Sequence, residues 1–182
     1  MEDNYDISAL NKKKRKNSRT KGSAFERSIA KTLNDRFNTT EFSRSPGSGA
    51  FATTHTLPEH LKIYGDLITP QNFKYCIECK KGYNNLNLYS LYNYSSEWYT
   101  FLEQCSKDSE KCERLPMVIF KQDRQPTLAI VKHPHPFTEG RYPYITITTQ
   151  KTSEENYIGP VEKYTIFHFD ELLKCNDSCW FN

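Results

Sequence analysis

Residues 63–81 read IYGDLITPQNFKYCIECKK, and their interpretation decides the fold. Two short apolar runs flank Thr69-Pro70-Gln71-Asn72. Pro70 has no N–H to give to a strand ladder, and Gln-Asn favours irregular backbone, so this tetrapeptide reads as a turn. The simplest structure is a β-hairpin with arms at 66–69 and 73–80. Alternation along the second arm sends Cys76, Glu78 and Lys80 to one face and Ile77 and Cys79 to the other. Asp66, Glu78 and Lys80 then converge at one end of the hairpin. Glu78 follows directly on Tyr75-Cys76-Ile77. It therefore belongs to a buried or half-buried strand, where an unpaired carboxylate is costly.

Two carboxylates and a lysine are what metal-assisted phosphodiester hydrolysis requires. The carboxylates hold a hard cation through oxygen and leave positions open for water and phosphate. The cation polarises the phosphoryl oxygen and lowers the pKa of bound water. A neighbouring lysine orients the water or offsets charge on the phosphoryl oxygens.

Asp66 followed by Glu78-x-Lys80 resembles the PD-(D/E)xK nuclease signature, with Gly65 where the motif often carries proline. Upstream, Lys21-Gly22-Ser23-Ala24-Phe25-Glu26-Arg27 is similar to the helix-1 entry of archaeal-type Holliday-junction resolvases. Arg44-Ser45-Pro46-Gly47-Ser48-Gly49 is similar to their arginine and Gly/Ser-rich segment before the catalytic aspartate. An isolated D…ExK pattern is usually a set of solvated strand-end charges. Four elements in the right order, in an apolar setting, favour the nuclease reading over that one.

The resemblance spans roughly residues 20–82, under half of the chain. It implies an α/β (α+β) restriction-endonuclease-like core, in the order α-β-β-β-α-β, and a Mg²⁺-dependent endonuclease acting on branched or four-way-junction DNA. Asp66 and Glu78 would bind Mg²⁺, or Mn²⁺ as substitute, with the Cys79 backbone carbonyl as a further ligand. Lys80 would serve the attacking water, and Glu26 would assist the metal. Lys21, Arg27, Arg44, Ser48 and Lys81 would contact DNA phosphates. A homodimer would place two symmetric cuts. Two other readings use the same residues: a duplex-cutting or RNA-cutting nuclease of this fold, and a non-catalytic nucleic-acid-binding protein that retains it.

Length and charge fit this frame. A chain of 182 residues can bury one core, and its net charge of +3 is mild. The charge is unevenly spread: Lys12–Lys16 is KKKRK, with Arg19 and Lys21 following. Residues 1–20 read as a flexible basic arm that adds phosphate affinity, and 21–182 as one nuclease domain with a β-rich C-terminal extension. No apolar signal region or membrane-length run is visible, which points to a soluble, intracellular protein, cytoplasmic or nuclear, with a phage or virus as a conceivable source. Six cysteines are expected to be reduced and mostly buried. Cys76-x-x-Cys79 would point to opposite strand faces and is poorly arranged for a shared metal.

Periodicity places the remaining elements. Ser23–Phe37 reads as a helix, with Ser23 and Glu26 at capping-box spacing and Phe25, Ile29, Leu33 and Phe37 as its apolar stripe. Glu41–Ser45 reads as a short strand and Ala50–Leu61 as a loop. Ser95 or Ser96 should start a helix to about Lys107. Strands are expected at Leu115–Lys121 and Thr127–Lys132, joined as a hairpin, and at Tyr144–Gln150 and Tyr164–Phe169. Asp170 should cap a short helix, Glu171–Cys175. The aromatic cluster after Gly82 reads chiefly as core. It also suits a dimer surface or one that stacks on exposed bases.

Overall fold

The computed structural model describes residues 18–46, 64–92, 96–137, 143–152 and 158–182. Helix α1 spans Ser18–Phe37, so it begins before Ser23 and takes in residues read as part of the basic arm. The Ser23 hydroxyl donates back to the Arg19 carbonyl at 3.1 Å, as a serine inside a helix does. The expected capping box with Glu26 is therefore absent. The stripe is as expected: Phe25, Ile29 and Leu33 are buried, and Phe37 packs against the same cluster.

Strands β1 (Ser43–Arg44) and β2 (Leu67–Ile68) pair antiparallel as a small separate sheet. The main sheet contains β3 (Tyr75–Lys81), β4 (Leu115–Lys121), β5 (Thr127–Lys132), β6 (Tyr144–Thr152) and β7 (Ile158–His168), in the order β3-β4-β5-β7-β6. The β4–β5 hairpin is present as expected, and β6 and β7 both run longer than the periodicity implied.

The hairpin expected over 66–80 is a correction. β2 ladders with β1, not with β3. The link that remains is the Asp66 N–H donating to the Ile77 carbonyl at 2.8 Å. Gly65, at φ +75°, turns the chain at this point. The 69–71 turn is held from below by Arg114, which donates to Thr69 Oγ1 and to the carbonyls of Pro70 and Gln71. Beyond Asp66 the chain leaves β3 and pairs with β1.

β3 and β4 run parallel, from Tyr75↔Leu115 to Lys81↔Lys121. Parallel neighbours need a crossover, and it carries helix α2 (Glu97–Lys111). Ser96 occupies its N-cap position, without a side-chain cap bond, and the helix continues past Lys107. Sheet alternation divides the core in two. Ile77, Cys79, Met117 and Ile119 face α1, while Val118, Phe120 and Ile130 face Trp98, Phe101 and Leu102 of α2. Helix α3 (Phe169–Leu172) is entered from His168, not capped by Asp170, because Phe169 and Leu172 are the residues it buries.

All six cysteines are free thiols, with Cys76, Cys79, Cys105 and Cys175 buried. Among the described residues no helix is long and apolar enough to cross a membrane.

Candidate active site

β3 is the edge strand of the main sheet, so one side of its backbone is left for other partners. Ile77 and Cys79 present their polar groups to that side. The Ile77 carbonyl accepts from the Asp66 N–H at 2.8 Å, and the Cys79 N–H donates to Asp66 Oδ2 at 2.8 Å. Residues two apart in a strand direct their backbone groups alike, which puts the Cys79 carbonyl on this edge as well. From β1, the Ser45 N–H donates to the Asp66 carbonyl at 2.9 Å, and its hydroxyl to the Gly65 carbonyl at 3.1 Å. Asp66 is thereby fixed beside β3 without a regular ladder.

Gly65 has a specific structural role. Its φ of +75° is closed to proline, whose ring holds φ near −65°, so the residue that often stands here in the motif does not fit this backbone. A Cβ at position 65 would lie 2.7 Å from the Ile77 carbonyl oxygen.

Glu78 and Lys80 share the α2 face of β3, as alternation requires. Lys80 Nζ donates to Glu78 Oε1 at 2.6 Å. Gln104 of α2 joins them: its Nε2 donates to Glu78 Oε1 at 2.9 Å, and its Oε1 accepts from Lys80 at 3.1 Å. The Lys80 ammonium also lies 5.1 Å from the centre of the Phe101 ring. Gln104 and Ser45 are the site residues that sequence reasoning missed. Ser45 stood inside the quoted Gly/Ser segment. Gln104 carried no signal, being a lone amide on an amphipathic helix.

Glu26, on the buried face of α1, approaches from the other side of the sheet edge. Its Oε2 accepts from Arg44 Nε of β1 at 2.5 Å. Glu26, Asp66 and Glu78 are 7%, 7% and 3% exposed. Burial pushes the Asp66 carboxyl up to about 7, and the charges of Glu78 and Glu26 add to this. Burial likewise raises Glu78, with Lys80 opposing. Burial pulls Lys80 down, but Glu78 outweighs it and the ammonium is held above its ordinary value. Asp66 and Glu78 are thus held at a cost in desolvation, to which like charges nearby add.

A cation placed among these acids would offset that cost. One oxygen of each acid is engaged: Asp66 Oδ2, Glu78 Oε1 and Glu26 Oε2. Among the described residues the second oxygens accept no hydrogen bond. No three His, Cys, Asp or Glu side chains among the described residues are gathered tightly enough to enclose a metal alone. The donor set instead suits a hard divalent cation that keeps water and substrate oxygens in its shell.

The remaining predicted residues are more scattered. Lys21 is exposed on α1, within electrostatic reach of Asp123, as is Lys81. The Lys81 ammonium lies 5.6 Å from the centre of the Phe25 ring. Arg27 is exposed on α1, about 100° round the helix from Glu26. Arg44 is turned toward Glu26, and Ser48 lies outside the described residues.

A family model described as “Phage putative PDDEXK endonuclease” matches residues 17–181. Protein D14 of Escherichia phage T5 is 31% identical over 156 residues, which covers 81% of this chain and 91% of that protein. No solved structure matches. The match takes in the β3 edge and extends well past it into the C-terminal strands. The chain belongs to the phage PDDEXK endonuclease family.

Proposed function

We propose that this protein is a Mg²⁺-dependent DNA endonuclease that cuts four-way or otherwise branched DNA, acting as a homodimer. The observation that carries the reading is the meeting of Asp66, Glu78 and Lys80 at one sheet edge, with Glu26 beside them. Asp66, Glu78 and the Cys79 carbonyl would hold Mg²⁺, or Mn²⁺ in its place. When bound, the cation supplies Lewis-acid polarisation of the phosphate and acidifies water.

The chain's own residues do the rest. Lys80, tied to Glu78 and Gln104, presents its ammonium where negative charge develops on the phosphoryl oxygens. Phe101 shields one side of that ammonium from water. Arg44 balances Glu26, so the acids can stay close before a cation arrives. Lys21, Arg27, Lys81, Ser48 and the basic run Lys12–Lys16 supply phosphate contacts. The junction preference draws its support from the Lys21–Arg27 and Arg44–Gly49 segments, which resemble those of junction resolvases.

The decisive experiment is cleavage of a labelled synthetic four-way junction in Mg²⁺, beside linear duplex of the same sequence and a Glu78→Ala variant. Symmetric cutting of the junction alone, lost in the variant while binding persists, is the expected result. Equal cutting of both substrates would leave the chemistry and remove the junction preference. Binding without cleavage in Mg²⁺ or Mn²⁺ would replace the enzyme with a binding protein.

A further inference from the structure

A second surface borders Lys80. Because β3 and β4 run parallel, their ends at Lys81 and Lys121 lie side by side. The β4–β5 turn that follows carries Asp123 and Arg124, the latter at φ +63°. This turn is fastened to the segment leaving β3. The Gly82 N–H donates to the Lys121 carbonyl at 3.0 Å. Gln122 donates to the Tyr83 carbonyl at 2.8 Å and to that of Leu86. Asn84 and Asp123 exchange two hydrogen bonds of 3.1 Å each. Residues 82–86 and the turn therefore form one braced lip.

The lip is cationic. The Asn84 amide draws the exposed Asp123 carboxyl down, and so do Lys21 of α1, Lys81 of β3 and Arg124 of the turn. Three cations from three elements thus lie within electrostatic reach of one acid on the braced turn. The lip is also aromatic. Tyr83, 39% exposed, meets the Phe101 ring edge-on at 4.8 Å, and that ring carries the Lys80 ammonium. Farther along, Tyr89 is 83% exposed. It sits on a 3₁₀ turn, Leu88–Tyr92, pinned to α2 at both ends: Trp98 Nε1 donates to the Asn87 carbonyl at 3.0 Å, and the Tyr99 hydroxyl to that of Leu91 at 2.5 Å. A ring so exposed on a backbone so fixed has no packing role. Cations that track a backbone beside rings that stack on bases are the equipment for binding single strands.

We propose that this lip holds unpaired nucleotides of the DNA substrate, with Lys21, Lys81 and Arg124 on the phosphates and Tyr89 and Tyr83 stacked on the bases. The inference rests on the DNA-endonuclease reading and sharpens its substrate class: DNA whose bases are unstacked next to the cut, as at a branch point. Asp123 opposes phosphate from within the same lip and restrains the affinity.

The test is fluorescence anisotropy of a short labelled DNA strand and of its blunt duplex, without divalent metal, so that cleavage plays no part. Tyr89→Ala should weaken single-strand binding about tenfold, with Tyr89→Phe close to wild type and duplex binding unchanged. Arg124→Gln should flatten the log–log salt dependence by about 0.7. Asp123→Asn should bind more tightly. An unaltered single-strand affinity for Tyr89→Ala, or an equal loss on blunt duplex, overturns the proposal. So does tighter binding of an RNA strand of the same sequence, since the occupant would then be RNA. Failure of the endonuclease reading shows separately, as absence of cleavage by wild type in Mg²⁺.

Discussion

Gln104 Nε2 donates to Glu78 Oε1 across 2.9 Å, so a helix on one face of the sheet sets the angle of a carboxylate at its edge. The same amide accepts from Lys80 and fixes the lysine relative to the acid. Gln104→Ala removes one bond to a charged group at each end, on the order of 1.5–3 kcal/mol. If those bonds orient the acid and lysine for reaction, kcat should fall about ten- to a hundredfold while DNA affinity holds. Single-turnover cleavage beside a binding titration separates the two. A variant that cuts at the wild-type rate would show that the amide plays no part in positioning.

Asp66 makes stability depend on pH in a direction opposite to that of most carboxylates. Its folded pKa is raised to about 7 from 3.8, so between these values the native state holds a proton that the unfolded chain has lost. That contribution is complete at low pH and disappears as pH rises through about 7. In chelator, urea denaturation should show wild type losing on the order of 2–4 kcal/mol between pH 5 and 8. Asp66→Asn should show a shallower slope, greater stability at pH 8 and no cleavage. Added Mg²⁺ should flatten the wild-type slope, because a cation takes the place of the proton. A wild-type profile that rises with pH would contradict this account.

Arg44 balances a nearly buried acid. Arg44→Met leaves Glu26 unpaired next to Asp66 and Glu78, which should cost about 3 kcal/mol in metal-free protein. Glu26→Gln on that background should recover most of the loss. Thermal denaturation of the double-mutant cycle measures the coupling. Additive single effects would mean that the ion pair contributes no coupling.

Gly65→Ala places a methyl 2.7 Å from the Ile77 oxygen at a φ of +75°. The backbone must shift just where Asp66 is anchored to β3. Destabilisation of about 2–3 kcal/mol is expected, combined with a loss of cleavage larger than stability alone explains. An active variant with wild-type melting would show that the anchor is not needed.

The side-chain faces of the strands and helices were easier to read from the sequence than the strand pairing that connects them. Alternation along Tyr75–Lys81 placed Glu78 and Lys80 on one face because strand geometry leaves no other choice. Helix periodicity placed Phe25, Ile29 and Leu33 inward for the same reason. The hairpin was misread because a turn signal such as Thr69-Pro70-Gln71-Asn72 shows that the chain reverses, not which strand it joins afterwards. The partner of β2 is β1, a strand well upstream in the chain. Ser23 met the capping spacing, yet the helix continues through it, since local spacing does not reveal where a helix already begins. Gln104 was invisible because its role exists only once α2 lies across β3.

Trp180 is completely buried, packed among Phe37, Phe73, Tyr75 and Phe137. Its carbonyl accepts from the Lys74 N–H, and Phe181 bridges to Phe73. The strand that carries Glu78 and Lys80 is thus wedged in place by residues made about a hundred positions later. During synthesis the wait is long at ~5–20 residues per second. The strand is written early, but its contacts with Trp180 form only after the ribosome has passed that residue.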